Sequence, residues 1–347
     1  MLNKLKGNHE HLTPSSRRFI GLTCRASATS AQKPAWTGDS IPSKVANWAI
    51  NTPWIFGAMK VLAKDQMKST AVKKGVDWDG HVAKLQAVVK ELEMIKLELE
   101  NTEIAYPEYY LKPFHAYDEG NLGWLAAFEV DMATMAVGLR CFGKMDPTIS
   151  PTSAFERLAG GATNTLKAYY QQHNLQPPEN IVDVGCSTGM STRWLAGQFP
   201  EASITGVDLS PYFLAVAEWE QRQRRVPNIK YMHALAEQSG LPSASVDALL
   251  YQYIIHECPQ KAIRDFVKES GRVLKPGGTL TFVDNNPRSK TIQSLPPAIA
   301  ILMKSTEPWS DEYFSCDVEA CMREGGFKEV VTVEIDHRHR AVMGIKA

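Results

Sequence analysis

The sequence predicts an α/β fold built on a mostly parallel sheet, preceded by a mainly helical N-terminal segment. Between residues 180 and 210 an apolar strand, a glycine-bearing turn, a helix, a second apolar strand and an acid follow one another. Beyond them, short apolar runs continue to alternate with helical stretches, which is the pattern of βαβ units. Before residue 152, apolar residues recur at helical spacing.

The elements follow in order. Thr152 to Gln172 reads as an entry helix. Ile181, Val182 and Val184 form a short buried strand, Gly185 and Gly189 allow a tight turn, and a helix runs from about Ser191 towards Phe199. The second strand, Ser203 to Val207, ends at Asp208. Ser210-Pro211 opens the next helix, with proline in its first turn, and that helix continues to about Arg225. Strand three is Ile229 to His233, strand four Val246 to Tyr251, and a helix covers Lys261 to Leu274. Pro276-Gly277-Gly278 is expected as a turn before strand five, Thr279 to Val283.

An acid at the end of the second strand can accept hydrogen bonds from both hydroxyls of a ribose. A dinucleotide would need G-x-G-x-x-G to seat its pyrophosphate, but Gly185, Ser187 and Met190 stand at those positions. The segment is instead D-x-G-x-S-x-G, Asp183 to Gly189, with an acid that repels phosphate and attracts an ammonium. S-adenosyl-L-methionine, with an amino acid and a sulfonium in place of phosphates, fits that charge pattern. A nicotinamide-dependent dehydrogenase survives only if the glycine-spacing argument fails.

Over Phe155 to Ala347 the chain resembles the class I S-adenosylmethionine-dependent methyltransferases, particularly the ubiquinone/menaquinone C-methyltransferase-like branch. The motifs that carry the resemblance are VDVGCSTG, ITGVDLS and RVLKPGGTLTFVD. The resemblance implies a Rossmann-like, seven-stranded, mostly parallel sheet with an antiparallel last strand, the final pair being Glu329 to Ile335 and Ala341 to Ile345. It implies a donor site of Asp183, Gly185, Cys186, Ser187, Gly189, Asp208, Leu209, Ala236, Glu237 and Tyr251. The acid that such proteins often carry after the third strand is missing, since Leu235 precedes Ala236 and Glu237. Residues 287 to 326 are an insertion containing Pro296, Pro297 and Pro308 and ending in a helix, Asp317 to Glu324.

Charge and composition bound the function. With 38 basic and 38 acidic residues among 347, no excess positive charge draws the chain onto nucleic acid. The Asn286-Pro287 pair follows strand five, whereas the N-P-P-aromatic motif of adenine-N6 enzymes follows strand four. The six cysteines, at 24, 141, 186, 258, 316 and 321, form no C-x-x-C pair, and no metal site is read from the sequence. Cys186 is read as a small packing residue. Six basic residues and one acid among the first 35, with the run RASATSAQKPA, have the composition of a transit peptide. A plastid address is expected, with a mitochondrial address or a cytosolic tail as alternatives.

The domain reading is therefore a leader at 1–35, a helical extension or cap at 36–152, and the methyltransferase-like domain at 153–347. Residues 48 to 63 are too short to span a bilayer and read as an amphipathic helix, either under the core or on a membrane surface. Val82, Leu85, Val89, Leu92 and Leu99 share one helical face, expected to pack on its own domain. Residues 106 to 130 are dense in aromatics, among them Tyr106, Tyr109, Tyr110, Phe114 and His115. They form either a lid over a small-molecule acceptor or an aromatic core between subdomains.

Ligands of open α/β sheets gather at the carboxyl ends of the strands. There His256, after strand four, is the candidate catalytic base, because an imidazole near ~6.5 suits proton transfer at neutral pH. Glu257 reads as a helix-start acid and Asp284 as a contact to acceptor or metal, although a lone carboxylate beside Asn285 and Asn286 does not define a metal site. His337, Arg338, His339 and Arg340 are expected in a solvated hairpin. The function expected is methyl transfer to a small quinone, phenolic, lipid or other acceptor; the alternative is a silent donor-binding scaffold. Oligomeric state is not readable.

Overall fold

The structure, a computed structural model, describes residues 34, 36, 37, 44, 52–113, 115 and 117–347. The expected leader, apart from Pro34, and Phe114 lie outside the described residues.

Seven strands form one sheet: β1 (Asn180–Val184), β2 (Ser203–Asp208), β3 (Ile229–His233), β4 (Val246–Gln252), β5 (Leu274–Asn285), β6 (Phe327–Glu334) and β7 (His339–Lys346). Their spatial order is β3-β2-β1-β4-β5-β7-β6. β1 to β5 pair in parallel, and β7 runs antiparallel to both of its neighbours. The expected seven-stranded architecture is thus present. The order reverses between β1 and β4, which opens a crevice at their carboxyl ends.

Twelve helices surround the sheet among the described residues: α1 (Pro53–Lys73), α2 (Trp78–Ala87), α3 (Val89–Leu99), α4 (Trp124–Phe142), α5 (Pro151–Gln172), α6 (Met190–Gln198), α7 (Pro211–Arg224), α8 (Gln260–Val273), α9 (Lys290–Gln293), α10 (Pro297–Thr306), α11 (Ser310–Ser315) and α12 (Val318–Glu324). α1, α5, α7 and α10 begin with proline at the first turn, where a missing N–H costs nothing. Ser150 and Ser210 cap α5 and α7 with their side chains. α8 lays Ala262, Ile263, Phe266, Val267 and Val273 onto the sheet, where Tyr251 stacks between Phe266 and Phe282.

Three local expectations differ from what the chain does. The Pro276-Gly277-Gly278 segment is a bulge inside β5, because Val246 pairs with Leu274 and Ala248 with Thr279, leaving the intervening residues looped out. The stripe expected as one helix breaks at Val88 into α2 and α3. His339 and Arg340 are buried strand residues, not a solvated hairpin: Asp336 accepts hydrogen bonds from the His339 N–H and Nδ1, and Arg340 pairs with Asp284 across the ladder.

The helical extension packs directly on the sheet layer. Leu85, Leu92 and Ile95 share a cluster with Ala126, Phe128, Phe213, Val216 and Trp219 of α4 and α7. Ser210 Oγ donates to the Asn121 carbonyl, and His233 Nδ1 accepts from the Asn101 N–H. Trp36 inserts into the core against Phe314 and donates its indole N–H to the Ile292 carbonyl. The contacts of Asn101 and Asn121 tie the extension to the carboxyl ends of β3 and β2.

Candidate active site

The turn after β1 is built by three left-handed residues, Gly185 (φ +69°), Ser187 (φ +51°) and Gly189 (φ +77°). A Cβ on Gly185 would stand 2.6 Å from Ile254 Cδ1, so both the backbone conformation and the space require glycine. The Gly185 and Cys186 N–H groups donate to the Val207 carbonyl, which closes the turn against β2.

Asp208, at the carboxyl end of β2, is 6% exposed. One carboxylate oxygen accepts from the Ser187 N–H at 2.7 Å and the other from the Ser210 N–H at 2.8 Å. Burial raises its carboxyl to about 6, and those two amides hold the rise in check. Ser187 Oγ is buried with no hydrogen-bond partner, an orphan of the kind a bound ligand satisfies.

The remaining expected donor residues divide. Leu209 follows Asp208 and is buried, its carbonyl 3.0 Å from His233 Nε2. Ala236 and Glu237 lie in the loop after β3, where Glu237 accepts from the Tyr109 hydroxyl while its second oxygen stays buried and unpaired. Cys186 packs with Leu214, Ala217 and Tyr231, and burial pushes its thiol well up, which makes it inert.

Asp183 takes a different role from an ammonium partner. Its carboxylate accepts from Ser191 Oγ at 2.6 Å, Thr192 Oγ1 at 2.7 Å and Gln252 Nε2 at 3.2 Å, so it clamps the start of α6 to β4. Tyr251 is not at the crevice: its hydroxyl meets Ser270 beneath α8. Side chains alternate along a strand, and it is Gln252, one residue on, that faces Asp183.

On the other side of the crevice His256 lies in a 3-10 turn, Ile255–Glu257, after β4. Its Nδ1 is 2.8 Å from one Asp284 oxygen and 3.0 Å from the other. Burial lowers the His256 pKa, but the adjoining carboxylates of Asp284, Glu307 and Glu257 outweigh it and lift the imidazole to about 10. The expectation of a base near its ordinary value is therefore corrected: the ring holds its proton at neutral pH. Glu257 is also more than a helix-start acid, since its carboxylate lies 3.6 Å from His115 Nε2.

Four residues of this region escaped sequence reasoning. His115 and Glu307 meet at 3.0 Å although far apart in the chain. Asp131 of α4 accepts from the Thr188 hydroxyl and braces the glycine turn from the extension. Tyr253 has φ +60°, an outlier for a bulky residue, and a buried, unpaired hydroxyl. A helical period marks Asp131 as an acid on a buried face, which is a detectable signal; the other three carry none. Over the crevice, Tyr106 stacks on Tyr110 at 6.3 Å, and burial with the nearby carboxylates of Asp208 and Glu257 raises the Tyr110 phenol well above its ordinary value.

Residues 182–282 match the family model described as a methyltransferase domain. Among curated relatives, the demethylmenaquinone methyltransferase of Tropheryma whipplei (strain Twist) is 32% identical over 150 residues, covering 38% of this chain and 60% of its own. The malonyl-[acyl-carrier protein] O-methyltransferase of Paenibacillus sp. (strain JDR-2) is 31% identical over 115 residues, covering 31% and 40%. The chain therefore spans 40 to 60% of the length of these relatives. A SAM-dependent methyltransferase from Aquifex aeolicus aligns with a TM-score of 0.42 at 18% identity, covering 55% of this chain and 92% of that one.

The residues present fit S-adenosylmethionine. The Asp208 carboxylate is fixed at the carboxyl end of β2 beside the left-handed turn, and an orphaned serine hydroxyl lies in that turn.

Proposed function

We propose that this protein is an S-adenosylmethionine-dependent methyltransferase of a small organic acceptor. The observation that carries the reading is the Asp208 carboxylate, fixed by the Ser187 and Ser210 amides beside the left-handed glycine turn. The methyltransferase-domain match over the same segment supports it.

When bound, the donor supplies a methyl group already activated by a positive sulfur. The chain's part is alignment and exclusion of water. Asp208 holds the ribose, the turn from Gly185 to Gly189 sets the depth of the ligand, and Asp131 and Asp183 keep that turn rigid. Tyr109 and Tyr110 lie across the crevice as a cover under which an acceptor is held away from solvent. His256, held by Asp284 on its Nδ1, presents Nε2 on the acceptor side of the crevice.

Relatives named demethylmenaquinone methyltransferase and malonyl-[acyl-carrier protein] O-methyltransferase support a small acceptor such as a quinone, phenolic, lipid or other organic molecule. No described helix is long and apolar enough to cross a membrane. The basic, acid-poor segment before Trp36 supports import into a plastid. The test is titration of the full chain with S-adenosylmethionine and S-adenosylhomocysteine by calorimetry. Stoichiometric binding of both supports the reading; binding of neither overturns it.

A further inference from the structure

Three segments distant in sequence converge on the acceptor side of the crevice. His115 comes from the loop before Tyr117, His256 from the turn after β4, and Glu307 from the end of α10. The three donor atoms lie within 4.8 Å of one another. His115 Nε2 is 3.0 Å from one Glu307 oxygen, and His256 Nε2 is 4.0 Å from the other.

The supporting structure is specific. His256 is oriented by Asp284, 1% exposed, on its Nδ1, which leaves Nε2 aimed at the gap. A carboxylate behind an imidazole is the arrangement that fixes the ring of a metal-ligating histidine. His115 is a non-glycine residue held at φ +49°, and its N–H donates to the Thr306 carbonyl, beside Glu307. The chain thus accepts an unfavourable backbone conformation at the residue whose side chain completes the group. Glu307 Oε2 is buried and lacks a hydrogen bond, since 4.0 Å from His256 is beyond hydrogen-bonding range. Finally, Glu257, Glu307 and Asp284 bring three carboxylates around two imidazoles, a surplus of negative charge in a half-buried site.

We propose that His115, His256 and Glu307 bind a divalent transition-metal ion, which displaces to solvent the proton that His256 Nε2 otherwise carries, with Asp284 as the positioning residue of His256. Ligand distances of about 2.0–2.2 Å would set the donors about 3 to 3.5 Å apart, so a gap of 4.8 Å would close by about 1.3 to 1.8 Å. Two nitrogens and one carboxylate oxygen suit zinc, iron(II) or cobalt(II) over magnesium or calcium, which take oxygen cages. Three protein ligands would leave positions open for an exogenous ligand. An acceptor bearing a pair of oxygens would bind there; that last step alone rests on the methyl-transfer reading.

The test is titration of metal-stripped full-length protein with cobalt(II), followed by its visible d–d absorption, and with zinc(II) by calorimetry. The wild-type chain should bind one equivalent. His115→Ala and Glu307→Gln should each weaken binding at least about tenfold while retaining S-adenosylmethionine affinity and the melting temperature. Asp208→Asn should do the reverse, losing the donor and keeping the metal. Absence of d–d bands in the wild-type protein, or equal metal affinity in wild type and both ligand variants, overturns the assignment. Failure of donor binding with metal binding intact would overturn the methyltransferase reading instead.

Discussion

Replacing Asp208 with asparagine should separate stability from donor binding. In the wild-type chain, burial raises the carboxyl to about 6 from the usual 3.8. That difference is a penalty of about 3 kcal/mol on the folded, charged form at neutral pH. The sign follows from the raised value: the group favours the folded state below about pH 4, and this benefit disappears as pH rises through about 6. Asparagine removes the buried charge and keeps one oxygen for the Ser187 or Ser210 amide, leaving the other amide unpaired at about 1–3 kcal/mol. The free variant should therefore melt at or slightly above the wild-type temperature near pH 8. Donor binding should move the other way, because one ribose bond is lost and the other loses its charge. Together these cost about 2–4 kcal/mol, or roughly 30- to 900-fold in affinity. Calorimetry and thermal melts on one preparation measure both effects. Wild-type affinity should also fall by up to about tenfold per pH unit below about pH 6, while the variant stays flat there. A variant Kd within about threefold of wild type, or a wild-type Kd indifferent to pH between about 5 and 8, would refute the ribose role.

Other substitutions probe the rest of the account. The double variant Tyr109→Phe, Tyr110→Phe keeps both rings and should leave donor affinity near wild type while lowering stability by about 1–3 kcal/mol, because Glu237 loses the Tyr109 hydroxyl. Tyr109→Ala, Tyr110→Ala should cut product formation far more than donor affinity; a collapse of the fold, at about 3–5 kcal/mol per truncated buried ring, would make these tyrosines core. Tyr251→Phe should leave the donor Kd unchanged and lower stability by about 1 kcal/mol through loss of its bond to Ser270; weakened donor binding would return Tyr251 to the site. A fluorescent fusion lacking residues 1–35 should fail to enter plastids, and continued import would place the address elsewhere.

Much of the fold could be read because local and global signals agree. β1 to β4 are apolar runs bounded by turn residues, and prolines mark the starts of α5 and α7. The donor turn was readable because only glycine serves at Gly185, where φ is positive and Ile254 fills the space a Cβ would need. What failed to show depended on geometry beyond one strand. Tyr251 was misplaced by a single residue, and one residue in a strand is the difference between facing α8 and facing Asp183. The Pro-Gly-Gly segment carries turn residues, but a bulge uses the same chemistry without ending the strand. His339 and Arg340 carry charge, yet Asp336 and the β5 ladder bury them. His256 was found by position, but its proton affinity depends on Asp284, Glu257 and Glu307, and Glu307 arrives from an insertion with no motif. His115 was visible only as one member of an aromatic run.

The central claim is methyl transfer from S-adenosylmethionine bound at Asp208 to a small molecule held beneath Tyr109 and Tyr110. Its most direct measurement is incubation of the full chain with methyl-labelled donor and a small-molecule extract of plastids, with mass identification of labelled products. The account predicts a labelled small molecule formed in step with S-adenosylhomocysteine and absent with Asp208→Asn. Tight donor binding by the wild-type chain, with no labelled product from quinone, phenolic, lipid or ester fractions supplied with cobalt(II) or zinc(II), would contradict it and leave a donor-binding scaffold.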